Sequence, residues 1–88
     1  MDNYLSSVVE MALWWTPEGF LPCDGRKLSI RNNEALFSLL GANYGGDGVN
    51  DFALPDLRPV DANGVKRDWK PNEIRKMIVV QGVYPMRP

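Results

Sequence analysis

Tyr44-Gly45-Gly46-Asp47-Gly48-Val49-Asn50-Asp51 has neither a helical nor a strand period, and it limits what the rest of the chain can build. Its glycines reach backbone conformations closed to other residues, and the acids and amide beside them readily bond nearby backbone. Order resumes in Phe52-Ala53-Leu54-Pro55-Asp56-Leu57-Arg58. We expect the whole segment to be a loop pinned across a sheet. Phe52, Leu54 and Leu57 would enter the core, and Asp56 and Arg58 would fix the backbone through charge-assisted bonds. Tyr44, Asp47, Asn50 and Asp51, with the distant Trp69, are the candidate interaction residues. Asp24, Gly25, Gly45, Gly46, Phe52, Leu54, Pro55, Asp56, Leu57 and Arg58 are the candidate structural motif.

Three familiar ligand loops do not fit this pattern. Gly46-Asp47-Gly48-Val49-Asn50-Asp51 lacks the third glycine of a dinucleotide fingerprint and follows a helical stretch, and no Gly-Lys-Ser/Thr ending marks a phosphate loop. Asp47, Asn50, Asp51 and Asp56 offer hard oxygen ligands for an irregular calcium site. However, the twelfth position counted from Asp47 is Arg58, where an EF-hand requires Glu. Side chains that bond the loop's own backbone are the expected use of these residues.

The flanking segments predict short elements. Val9, Met11, Leu13 and Trp15 alternate with Val8, Glu10, Ala12 and Trp14, which predicts a strand from about Val8 to Trp15. Thr16-Pro17-Glu18-Gly19 ends it. Its second face is only partly polar, so Trp14 is expected beneath another subunit or another part of the chain. Asp24-Gly25-Arg26 between Phe20–Cys23 and Lys27–Ile30 predicts a hairpin, with Pro22 on an edge. A short helix is predicted at about residues 32–40. Asn32 or Asn33 would cap it, Glu34 sits in its first turn, Gly41 ends it, and Leu36, Phe37, Leu39 and Leu40 form its apolar stripe. Residues 59–72 read as a loop with at most a short hairpin, anchored by Trp69. Lys76 to Tyr84 reads as a strand buried on both faces and ended by Pro85. The expected fold is α+β, mainly β: one domain over residues 1–88, with the N- and C-terminal strands in one sheet.

Size makes such a domain marginal, because a chain of 88 residues buries only about 60–65% of the surface its unfolded form exposes. Cys23 is the one cysteine and histidine is absent, so neither an internal disulfide nor a cysteine- or histidine-built zinc site can help. Oligomerisation is the remaining support. Ten basic and eleven acidic residues give no strong field toward nucleic acid or anionic lipid. Residues 1–57 carry three basic against eight acidic groups, a net of −5, and residues 58–88 carry seven against three, a net of +4. The halves either interleave and mix their charge or meet between subunits, acidic face to basic face. Met11-Ala12-Leu13-Trp14-Trp15, the longest apolar run, falls short of the ~20 residues of a membrane span. Met1-Asp2-Asn3-Tyr4 lacks the basic start of a signal peptide, so synthesis in the cytosol is expected.

The residues assemble no reaction centre. Histidine, the commonest general base near neutral pH, is missing. Cys23 has no base partner in sequence and reads as an inert thiol. A cleft with paired carboxylates around a sugar is hard to build at this size. No cofactor is implied. Trp14, Trp15, Trp69, Tyr44 and Tyr84 can stack on sugar rings or bases, but read first as core or interface anchors. Only Lys66-Arg67 and Lys70 hint at a basic groove, too little for nucleic acid.

Several motifs follow one another in a set order: the stretch from Met11 through Trp15-Thr16-Pro17-Glu18-Gly19-Phe20-Leu21-Pro22-Cys23-Asp24-Gly25, then Leu28-Ser29-Ile30, Ala35 to Gly41, Tyr44 to Gly48, and Phe52 to Arg58. That order resembles the phage tail-collar domain family, which includes short-tail-fibre collars and the bacterial proteins called microcystin-dependent. Ile74 to Pro85 resembles the strand that closes many members, so the resemblance runs from about Met11 to Arg87. In many relatives the Pro-Asp-Leu-Arg motif leads to a glycine-rich strand and a long insertion, where this chain has Pro59-Val60-Asp61-Ala62. Some short tail fibres also carry a histidine-ligated metal in a receptor-binding tip, and neither the histidines nor the tip is present here. The resemblance implies a collar fold and a place in the virion tail. It does not carry over receptor binding. We expect a non-enzymatic adaptor that joins or caps tail fibres or baseplate elements, a trimer by analogy with fibre collars. The alternative is a host-attachment protein that binds surface glycans.

Overall fold

Met77, Ile78 and Val79 form the middle of the structure because three consecutive apolar residues need cover on both faces of a strand. Each is at most 1% exposed. The structure is a computed structural model that describes residues 3–86. Met1, Asp2, Arg87 and Pro88 lie outside those residues, and with them the start of the segment read for a signal peptide and the end of the resemblance. The elements are β1 (Val8–Met11), β2 (Phe20–Pro22), β3 (Lys27–Ser29), α1 (Glu34–Leu40), β4 (Asp51–Ala53) and β5 (Arg75–Val79). They form a small α+β, mainly β fold with two antiparallel sheets. One sheet has the order β1-β5-β2 and the other pairs β3 with β4.

The N- and C-terminal strands do share a sheet, with Val8 opposite Ile78 and Met11 opposite Arg75. β1 is shorter than its pattern suggests, ending at Met11 rather than Trp15, because its partner begins at Arg75 and nothing beyond pairs with it. Trp14 is therefore 71% exposed, while its carbonyl accepts a 2.7 Å bond from Arg75 Nη1. β5 stops at Val79, five residues before Tyr84, because Val80 and Gln81 both turn their N–H groups onto the Gly19 carbonyl. Gly82 then passes under the N-terminal segment, where a Cβ would lie 2.5 Å from the Asn3 carbonyl oxygen.

The predicted hairpin at Asp24-Gly25 does not form. β2 pairs with β5, placing Leu21 opposite Ile78, and β3 pairs with β4, placing Leu28 opposite Phe52. Leu21 and Leu28, which would face each other in that hairpin, instead each face a fully buried residue in a separate sheet. Gly25, with φ +79°, carries the chain from one sheet to the other, and Asp24 bridges Asp56. Pro22 does sit on an edge strand, where its missing N–H costs no ladder bond.

α1 has only seven residues, too few to hold as an isolated helix, and its buried Leu36 fastens it to the core. Phe37, Leu39 and Leu40 pack beside it. Asn33 occupies the N-cap position, but its side chain turns back to the Ser29 carbonyl at 2.9 Å and makes no cap bond. Gly41 closes the helix with φ +61°. Leu5, Cys23, Leu36, Phe52, Leu54 and Ile78 form the core cluster. Residues 59–72 contain the short hairpin, a bridge from Val60 to Lys66 across a turn held by the Asp61 carboxylate.

Candidate interaction surface

The glycine loop is organised by Asp47. Its Oδ1 accepts the backbone N–H of Val49, Asn50 and Asp51 at 2.8, 2.7 and 3.1 Å. Asp51 Oδ1 in turn accepts the Asp47 N–H at 2.9 Å. The Asp51, Val49 and Asn50 amides together draw the Asp47 carboxyl down to about 2. Gly46 is obligatory here, since a Cβ would sit 2.6 Å from the Phe52 Cα. Gly45, with φ +132°, accepts the Ala53 N–H on its carbonyl. Asp47 and Asp51, two of the possible ligands, thus hold the loop's own backbone, while Asn50 Nδ2 lies 3.4 Å from Asp47 Oδ2. Tyr44 is exposed on the rim.

After the loop, Phe52 and Leu54 are fully buried, as expected, and Pro55 is buried with them. Leu57 is not: it is 38% exposed, although its backbone N–H donates to the Cys23 carbonyl at 2.8 Å. Arg58 clasps Asp56 as expected, Nε to Oδ1 and Nη2 to Oδ2, both at 2.9 Å. Asp24-Gly25-Arg26 makes the same clasp, at 3.0 and 2.9 Å. These two Asp-x-Arg clasps meet across the Asp24–Asp56 bridge, where a Cβ on Gly25 would touch Asp56. The Arg58 bonds draw the Asp56 carboxyl down to about 2. Burial pushes Asp24 up, and the Arg26 bonds and charge outweigh it, leaving its carboxyl below the usual range. Lys66 Nζ joins the clasp by donating to the Asp56 and Arg58 carbonyls.

Trp69 is not part of the loop's surface. It packs against the core and forms a wall of two hollows. One, of about 170 Å³, is shared with Thr16, Pro22, Asp24, Asp68 and Arg75. The other, of about 390 Å³, is shared with Leu57, Pro59, Glu73, Ile74 and Lys76. Neither includes Tyr44, Asp47, Asn50 or Asp51. Sequence reading missed Thr16, Asp68, Ile74 and Arg75 as neighbours of Trp69. The one available signal was Arg75, a charge at the head of an apolar strand. Arg67, part of the sparse basic cluster, is held bidentate by Glu73, whose carboxyl the Arg67 bonds and the Lys70 amide draw down to about 2. Burial, with the Asp24 charge, pushes the Cys23 thiol up to about 11, which suits an inert core residue.

The halves of opposite charge interleave, with Glu10 on β1 facing Lys76 on β5 and Arg58 closing on Asp56. A family model, the Phage Tail Collar Domain, matches residues 6–60, from the turn before β1 to the residue after Pro59. The chain belongs to the phage tail collar domain family. Neither a curated protein nor a solved structure matches it. Membership implies a structural role in a phage tail fibre and so a component of the virion tail. Both Asp-x-Arg clasps and the glycine loop lie inside the collar match, while β5 lies beyond it. Among the described residues no helix is long and apolar enough to cross a membrane.

Proposed function

We propose that this collar chain is a non-enzymatic adaptor of the phage tail, joining or capping tail fibres or baseplate elements as a homo-oligomer, with a trimer expected by analogy with fibre collars. The chain acts as one domain, made in the host cytoplasm and carried into the virion by assembly. One observation supports the reading above the others: large apolar side chains face outward where partners can cover them. Trp14, Trp15, Tyr4, Ile74 and Tyr84 are all between 48% and 71% exposed. Meanwhile the polar groups of the glycine loop are occupied by the loop's own backbone. Such a surface suits protein contacts, whose energetic centres are aromatic.

Size-exclusion chromatography with light scattering, at low and moderate salt, tests this. A trimer insensitive to salt is expected, since the charges mix within one chain. A stable monomer would remove self-assembly and leave an adaptor that needs another protein's surface. The alternative is host-surface glycan binding by Tyr44, Asp47, Asn50 and Trp69; of these it draws on the exposed Tyr44 ring, since Trp69 lies apart from the loop and Asp47 is taken up by its backbone. It predicts saturable binding of the isolated protein to host cells or to a glycan array, a result that would displace the adaptor reading.

A further inference from the structure

We propose that the two hollows walled by Trp69 form one docking site for an acidic segment of another protein. A large apolar side chain of that segment fills the wider hollow, and carboxylates beside it meet Arg75 and Lys76. The inference rests on the adaptor reading above and gives the partner a place on the surface. Trp69 is partly buried against the core, so its indole is held in position and presents a wall to each hollow. The wider one, of about 390 Å³, is lined by Leu57, Pro59 and Ile74 as well, with Glu73 and Lys76 on its polar side. Leu57 and Ile74 are 38% and 59% exposed, so another chain has apolar area to cover there. An indole and two aliphatic side chains around a concave space suit the anchor residue of a partner.

Charge decides what kind of segment fits. The acids that line the two hollows are already matched within the chain: Asp24 pairs with Arg26, Asp68 with Arg58 and Glu73 with Arg67. The cations are not. Among the described residues neither Arg75 nor Lys76 forms an ion pair, although Glu10 is the cross-strand neighbour of Lys76. Arg75 spends Nη1 on the Trp14 carbonyl at 2.7 Å, and its Nε is buried with no acceptor. Buried donors are nearly always satisfied, so an open one marks a place where an acceptor is missing. Each hollow thus has one unmatched cation on its lining, beside the shared indole. A partner's carboxylate there makes a charge-assisted bond, and the complementary charge fixes its register. Nucleic acid is also anionic and stacks on indoles, but it wants a continuous basic groove. Asp24, Asp68 and Glu73 interrupt one here, whereas an acidic peptide can set single charges at Arg75 and Lys76 alone.

The test titrates the full chain with the acetylated, amidated peptide Gly-Asp-Phe-Asp-Gly and follows the Trp69 indole N–H and the Ile74 amide by NMR. Its lysine counterpart Gly-Lys-Phe-Lys-Gly and an oligothymidylate are the comparisons. The acidic peptide should shift both signals saturably, less so at higher salt, and leave the Asp47 and Asp51 amides in place. Ile74→Asp should weaken it at least tenfold and Lys76→Gln about threefold. Val49→Asp, which adds the same charge at the exposed tip of the glycine loop, should leave it unchanged. Far-UV circular dichroism confirms that each variant folds. Docking at Trp69 is overturned if millimolar acidic peptide leaves its signal unmoved, if the lysine peptide binds as tightly, or if folded Ile74→Asp binds like wild type. Tighter binding of the oligothymidylate overturns it in favour of a nucleic-acid surface. Native mass tests self-assembly separately. An oligomer that ignores the peptide loses this site and keeps the adaptor reading, and a monomer that binds it keeps the site and loses the homo-oligomer.

Discussion

Phe52 is fully buried and its ring tilts against Phe37 at a centroid distance of 5.3 Å. Truncating it leaves a cavity between the helix and the second sheet. Phe52→Ala should cost about 3–5 kcal/mol; a melting temperature unchanged from wild type would show that the ring is not part of the core. Ser6 presents the reverse case. It has φ +75°, a conformation that disfavours any side chain, in the turn closed by the Ser7 N–H on the Tyr4 carbonyl. Val79 accepts the Ser6 N–H and donates to the Ser7 carbonyl, so two residues oppose one and the strand begins with a bulge. Ser6→Gly should stabilise by about 1 kcal/mol, read as a higher urea midpoint at constant slope. Phe52 was legible as a core residue from the sequence. Ser6 was not, because serine carries no mark of a left-handed conformation and only the pairing to Val79 imposes it.

At the scale of elements, the glycine loop and the Asp-x-Arg clasps are held by carboxylates kept ionised. Hydrogen bonds draw the Asp47 and Asp56 carboxyls, and that of Glu73 beside Arg67, down to about 2, below the 3.8 of free Asp and 4.5 of free Glu. A carboxyl with a lowered folded pKa stabilises the fold fully above its unfolded value and loses that contribution as pH falls toward the folded value. The melting temperature should therefore stay level from pH 7 to about 5 and fall between about pH 4.5 and 2. Asp47→Asn should lower it at pH 7 and flatten part of the acid slope, since the amide cannot offer the same charged acceptor to three N–H groups. An acid slope identical to wild type would place the loop's stability elsewhere. The loop's self-bonding was readable from its glycine and Asx composition, and α1 from its stripe. The hairpin at Asp24-Gly25 was misread because the local turn signal carries no information about which distant strand each arm prefers.

For the whole molecule, the central strand is the segment that family matching does not reach. The match ends at Val60, while β5 lies at 75–79 between β1 and β2. A chain cut after Val60 would leave β1 and β2 with no partner and uncover Cys23, Phe52 and Leu54, which the full chain buries. Such a fragment should show neither a cooperative thermal transition nor dispersed amide resonances. A folded fragment would mean that the two-stranded sheet and α1 suffice alone. Gly82→Ala should act at the same scale, because its Cβ would press on Asn3 and Leu5 and on the Val79 side chain, separating the chain ends. Its melting temperature should drop without any change at the glycine loop, visible as unaltered Asp47 and Asp51 amide shifts.

By itself the sequence determined what depends on residue type and near neighbours: a mainly β chain, one short helix, a loop of glycines and acids that bonds itself, Pro22 on an edge and Phe52 and Leu54 in the core. Its ordered motifs also carried the collar likeness. Only the tertiary structure decided which strands pair, and so sent β2 to β5 and β3 to β4. It likewise turned Leu57 outward and set Trp69 among Thr16, Asp68 and Arg75, away from the glycine loop. Those outcomes depend on competition among partners tens of residues apart, and a local pattern of apolar and polar residues does not encode which partner wins.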